Sequence, residues 1–235
     1  MILNDFLKAL RQIGDPAFLG VLALGIGLTV VLLVAFYLGF VGLVGWFVPD
    51  SFSLPWIGEI AWVDDALSWA GIPLILVLSI FLMVPVASAF TGLFLDRIAA
   101  AVEARHYPHL PPAREVGIVE GLADGLKFLG VILLANILAL VLYFTPAAPF
   151  IFWGLNGYLL GREYAQLVAL RRNTAAGARA FRKENSGQIL VAGVLMAVPL
   201  TIPVVNLLVP VLGAATFTHL YHRISAAAEL RARSG

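Results

Sequence analysis

Two uninterrupted apolar stretches dominate the chain. Phe18 to Val48 carries no charged residue, and a helix of that length reaches about 45 Å, beyond a hydrocarbon core of roughly 30 Å. A long transmembrane span is therefore predicted over 18–48, with Gly39, Gly42 and Gly45 as a small-residue stripe for close helix approach. Ala66 to Leu95 is also uncharged, and Pro73 and Pro85 within it kink a membrane helix without ending it. Its helix is expected to run on into charged sequence, giving a second long span over 66–100. Between the two, Pro49 to Asp65 holds Trp56, Trp62, Asp50, Glu59, Asp64 and Asp65 and reads as an interfacial loop.

Before the first span, Ile2, Leu3, Phe6, Leu7, Leu10 and Ile13 recur at helical spacing. Residues 1–15 therefore form an amphipathic helix at the bilayer surface, ending near Gly14-Asp15-Pro16. The segment lacks the short apolar core and small-residue cleavage site of a removable signal.

After the second span, Gly117, Gly121 and Gly125 share one helical face. Two helical hairpins follow, over 122–170 and 185–228. Phe128 to Thr145 turns through Pro146-Ala147-Ala148-Pro149 into Phe150 to Gly161, and Gln188 to Leu200 turns through Thr201-Ile202-Pro203 into Val204 to Thr218. These uncharged arms are shorter than the roughly 20 residues of a full span. Hairpins that dip partway into the membrane are expected, with full crossing through snorkelling flanks as the alternative. The fold class is thus all-α integral membrane, with two long transmembrane helices, two short re-entrant hairpins and an N-terminal amphipathic helix, in one domain over 1–235.

Composition agrees with lipid as the solvent: 61 % of residues are hydrophobic, 12 % are charged, and the mean hydropathy is +0.95. The formal net charge of +1 offers no reason to expect nucleic acid. With no cysteine, thiolate catalysis and cysteine-held metals are excluded. All 15 lysines and arginines lie in Met1 to Arg11, Arg97 to Lys127, Arg162 to Lys183 or Arg223 to Arg233. The positive-inside rule then puts both termini in the cytoplasm and the Pro49 to Asp65 loop outside.

An anion crossing a bilayer needs substitutes for its hydration shell. The second hairpin arms begin at Pro149 and Pro203, where free amides and a positive dipole end would serve an anion; tight turning alone also explains the prolines. Thr145 and Thr201 are placed to cap these ends. Hydrogen bonding between helices is the commoner explanation of Asn136 and Asn206, with Asn206 as a candidate path-lining residue. Arg179, Arg182 and Lys183, in a segment that also holds Arg162, Arg171 and Arg172, suit anion recruitment. The positive-inside rule and binding of anionic lipid leave the same mark. His106 and His109, like His219 and His222, are spaced three apart, which supplies too few ligands for a metal; they read as interfacial histidines. No phosphate-binding loop, serine elbow or nucleophile-base pair is present, so neither enzyme activity nor a cofactor is expected.

The order of parts resembles the CysZ sulfate permease family, whose domain is shared with the etoposide-induced membrane proteins. The resemblance is carried by Ile202-Pro203-Val204-Val205-Asn206-Leu207-Leu208-Val209-Pro210-Val211-Leu212-Gly213-Ala214-Ala215-Thr216, by Leu142-Tyr143-Phe144-Thr145-Pro146, by Phe90-Thr91-Gly92-Leu93-Phe94-Leu95-Asp96 and by Phe181-Arg182-Lys183-Glu184-Asn185. It implies a multi-pass protein of the bacterial inner membrane that forms homo-oligomers and admits sulfate or a related oxyanion for cysteine biosynthesis. Relatives carry a Gly-Leu-Arg type motif after the proline opening the first long helix. Here the stretch is Asp15-Pro16-Ala17-Phe18-Leu19-Gly20, so no sulfate-binding side chain carries over. The amides of Ala17, Phe18 and Leu19 remain as a helix N-terminus anion site, opposed by Asp15. The competing reading, from the amphipathic N-terminus and short hairpins, is a membrane scaffold or lipid-shaping hairpin protein without transport.

Overall fold

The structure, a computed structural model, describes residues 1–47, 53–54, 58–59, 95–114, 130–137, 139–140, 142 and 144–234. Two compact units divide the chain: Met1–Leu22 together with Thr91–Gly235, and Ala23–Phe90.

Helix α1 (Ile2–Arg11) ends in a turn at Gln12 to Asp15, where the local sequence predicts it. Its polar side faces the protein: Asp5, Ala9 and Gln12 are buried, while Leu3, Leu7 and Leu10 are exposed. Helix α2 (Pro16–Phe47) is apolar on all sides. Within it, Pro16–Phe36 is long and apolar enough to cross a membrane, and only 19 % of that stretch is buried. A soluble core helix of this hydropathy hides its side chains, whereas α2 exposes Leu24, Val30, Val31 and Val34. In the second unit, β1 (Ser53–Leu54) and β2 (Gly58–Glu59) pair antiparallel with Ser53 opposite Glu59.

The expectation of two long transmembrane helices is corrected here, because among the described residues Pro16–Phe36 alone meets the requirement. Most of the second expected span, 66–94, lies outside the described residues, as does the Gly117, Gly121 and Gly125 series. Its end belongs to helix α3 (95–106), which packs as a protein helix instead of facing lipid. Leu95, Ile98, Ala99 and Val102 are buried on one side of α3, and Asp96 and Glu103 are spent in ion pairs.

The helices of the hairpin regions run past their uncharged cores. Helix α4 (130–137 and 139–140) leads through a turn at 144–147 to α5 (Ala148–Leu170), of 23 residues. Helix α6 (Ala175–Glu184) is followed by α7 (Ser186–Ala197), a 3-10 turn at Pro199–Thr201, the four-residue α8 (Pro203–Asn206) and α9 (Val209–Ser234), of 26 residues. Arg, Glu, Gln, Leu and Ala propagate a helix well, so α5 runs through Arg162 and Glu163, and α9 through Arg223 to Arg233.

The core forms around the first half of α9, in which Val209 and every residue from Val211 to His222 are buried. Helices α1, α5 and α7 pack against it. Helices α5 and α7 run antiparallel and nearly touch backbone to backbone. A Cβ at Gly157 would lie 2.5 Å from Val194 Cγ2, one at Gly161 2.7 Å from the Ile189 carbonyl oxygen, and one at Gly193 would overlap the Gly157 carbonyl. Glycine permits this approach because no side chain intervenes.

Candidate functional site

Glu103 on α3 anchors a buried ionic cluster. The turn that follows α5 delivers Arg171 and Arg172, and α9 delivers His222. Arg172 grips the carboxylate with Nε and Nη2 at 3.0 and 2.8 Å, Arg171 Nη2 reaches it at 3.2 Å, and His222 Nε2 lies 3.0 Å away. Burial alone would raise the Glu103 pKa; hydrogen bonds from His222 and Arg172 and the charges of both arginines outweigh it and hold the group at about 2. Arg171 also pairs with Asp96, and Arg172 donates to the Pro111 carbonyl at 2.6 Å. A second tie joins the chain ends, with Arg223 Nε on Asp5 at 2.8 Å and Arg223 Nη1 on Gln188 at 3.1 Å.

Beside this cluster Tyr107 OH and His219 Nδ1 lie 3.0 Å apart, and the His106 ring packs edge-on to His219. His219 is fully buried, and burial, reinforced by the charges of His106, Lys8 and His222, holds its pKa down at about 3. Tyr107 is pushed up to about 12, chiefly by burial. His219 and His222 both lie inside the helix packing. Among the described residues no group of His, Asp and Glu is placed to hold a metal ion.

The cluster supports a basic cleft. Thr174 caps α6 by accepting the Gly177 amide at 3.2 Å, and α6 breaks at Asn185, whose side chain donates to the Phe181 carbonyl at 2.8 Å. On α6, Arg179, Arg182 and Lys183 stand at spacings of three and four and share one face. Across from them α5 contributes Tyr158 and Arg162, and α7 contributes Ser186, Ile189 and Leu190, around a cleft of about 280 Å³. Among the described residues four cations and two hydroxyls line it, with no carboxylate. Cations at these spacings repel by roughly 0.2–0.5 kcal/mol per pair. The C-terminal dipole of α6 offsets part of this for Arg182 and Lys183, and a bound anion would offset more.

The three recruitment residues therefore meet in one place, joined by Arg162 and Tyr158. The other predicted residues lie elsewhere. Thr145 and Thr201 do not cap the helices that follow them. Each donates its hydroxyl backwards, to the carbonyls of Leu142 and Val198, both at 2.7 Å. The N-caps of α5 and α8 are Ala147 and Ile202, without side-chain bonds. Pro149 and Asn206 are exposed, and Pro203 opens a helix of only four residues, too short to sum a useful dipole. Asn136 donates to the Ile132 carbonyl of its own helix at 2.9 Å. At Ala17, Phe18 and Leu19 all three amides are taken by Asp15: its Oδ1 accepts from Ala17 at 3.0 Å, and its carbonyl accepts from Phe18 and Leu19 at 2.9 and 3.0 Å. Asp15 is an N-cap occupying the place an anion would need.

Residues 5–210 match the family described as sulfate transporter CysZ/etoposide-induced protein 2.4. The chain belongs to this family. No curated protein matches it. Membership in the CysZ/etoposide-induced family places the chain among membrane-associated transport proteins and not among enzymes. The whole basic cleft falls inside the stretch matched to the CysZ/etoposide-induced family, as does Glu103, whereas His219 and His222 lie beyond it.

Proposed function

We propose that this protein is an anion permease of the bacterial inner membrane, taking up sulfate or a related oxyanion for cysteine biosynthesis, with the α5–α6–α7 cleft as the place where the anion is gathered. The observation that carries the reading is the convergence of Arg162, Arg179, Arg182 and Lys183 on one cleft in a chain of this transport family. Guanidinium groups present planar pairs of donors to oxyanions, and a concave cationic site concentrates them.

A common cytoplasmic location of the four basic segments is supported by their contacts: Asp5 with Arg223, Asp15 with Arg105, and Glu103 with Arg171, Arg172 and His222. Both termini then lie on the cleft's side of the membrane. Exposed apolar residues along α2 suit contact with lipid and with further subunits of a homo-oligomer.

The test is sulfate flux into proteoliposomes holding the purified, folded chain alone. Flux should exceed that of empty vesicles, and Arg179→Ala, Arg182→Ala and Lys183→Ala together should weaken its dependence on sulfate concentration by tenfold or more, at about 1.4 kcal/mol per factor of ten. Flux no higher than in empty vesicles would discard the permease reading.

A further inference from the structure

The cleft is amphipathic, and a bare oxyanion uses only one side of it. Arg162, Arg179, Arg182 and Lys183 line it together with the apolar Ile189 and Leu190. Leading away from the cations along α5, the positions four and seven residues before Tyr158 are Gly154 and Ile151, which lie on the same helical face. Tyr158 and Gly154 are exposed and Ile151 is half-buried, and among the described residues nothing approaches the place of a Cβ on Gly154. On the antiparallel α7, exposed Leu190 is followed one turn on by half-buried Val194. A cationic pocket thus adjoins an uncharged strip of tyrosine, glycine and aliphatic side chains that is open at Gly154. Water solvates such a strip poorly, and a free oxyanion makes no use of it.

Building on the reading of the cleft as an oxyanion site, we propose that its resident ligand is the phosphate headgroup of an anionic phospholipid. The phosphodiester lies among the four cations, and the first part of an acyl chain follows Tyr158, Gly154 and Leu190. A soluble oxyanion then gains the cleft by displacing this lipid, so the lipid composition of the membrane regulates anion entry. Charge and apolar surface are both matched by one amphiphile, which neither sulfate nor a neutral lipid achieves.

The experiment uses the full chain in an uncharged detergent, titrated with short-chain phosphatidylglycerol, short-chain phosphatidylcholine and sodium sulfate. Phosphatidylglycerol should bind saturably, phosphatidylcholine should not, and sulfate should compete with phosphatidylglycerol. The double variant Arg179→Ala/Lys183→Ala should lose about thirtyfold in phosphatidylglycerol affinity. Gly154→Gln fills that open place without touching a cation; it should weaken phosphatidylglycerol severalfold and leave sulfate affinity unchanged. Thermal unfolding checks that both variants fold. Equal binding of the two lipids, failure of sulfate to compete, or indifference of phosphatidylglycerol to Gly154→Gln would each overturn the proposal. Flux measured in pure phosphatidylcholine vesicles separates the two readings. Flux without phosphatidylglycerol binding removes the lipid site and keeps the permease, whereas saturable lipid binding without flux in any vesicle does the reverse.

Discussion

Glu103→Gln exchanges a carboxylate for an amide of nearly the same shape while leaving Arg171, Arg172 and His222 around it. In the native protein the carboxylate accepts from all three, with its side chain 9 % exposed. The amide carries no charge to balance two guanidinium groups, and its nitrogen would point a donor at donors. Removing one partner of a buried ionic cluster costs about 3–5 kcal/mol. The titration leads to a similar figure: a carboxyl held at about 2 instead of its ordinary 4.5 represents about 3 kcal/mol. The folded-state pKa is the lower one, so this stability is fully present above about pH 4.5 and is lost as pH falls towards 2. Thermal unfolding of the purified chain in detergent should show the variant melting roughly 10 °C lower at neutral pH. The gap should close as the buffer is taken below pH 4.5, because the wild type then protonates the same group. A variant that melts with the wild type at neutral pH, or a gap that stays constant down to pH 2, would refute the assignment of Glu103 as the anchor of this packing.

His219 titrates in a higher window. Its folded-state pKa of about 3 lies below the ordinary 6.5, so stability falls as pH drops from 6.5 towards 3, and His219→Gln, able to keep a bond to Tyr107, should flatten the melting curve there; an unchanged slope counts against a buried neutral imidazole. Gly193→Ala should lower stability by about 1–3 kcal/mol because the new methyl meets the Gly157 carbonyl, whereas Gly154→Ala, facing open space, should be neutral or stabilising by up to about 1 kcal/mol. Equal melting of these two variants would contradict the close α5–α7 crossing. Asp15→Ala should cost about 1 kcal/mol through loss of the α2 cap, with Asp15→Asn near wild type in the same chemical denaturation series.

Where the deciding interaction was local, the residues announced it. The α1 periodicity and the break at Gly14-Asp15-Pro16 placed the first helix, and the uncharged run from Phe18 marked the stretch long and apolar enough to cross a membrane. Arg179, Arg182 and Lys183 were legible as one face because helical spacing alone puts them there. Helices α5 and α9 continue through arginines past their uncharged cores because backbone hydrogen bonds, not hydropathy, end a helix. One readable signal went unused, the four-residue spacing of Gly157 and Gly161 that marks the α5–α7 contact.

The ionic cluster had no local signature. Glu103 and His222 are 119 positions apart, and Asp5 and Arg223 are 218 apart. Each is an ordinary charged or polar residue until folding removes water from around it, and any of several acids could have met those arginines. The amino-acid order by itself determined the apolar run, the caps and the cationic face, since each depends on neighbours within a turn or two. Tertiary structure alone decided that Tyr158 and Arg162 complete the cleft and that Glu103 holds three donors, because burial and partner choice arise only when distant helices pack.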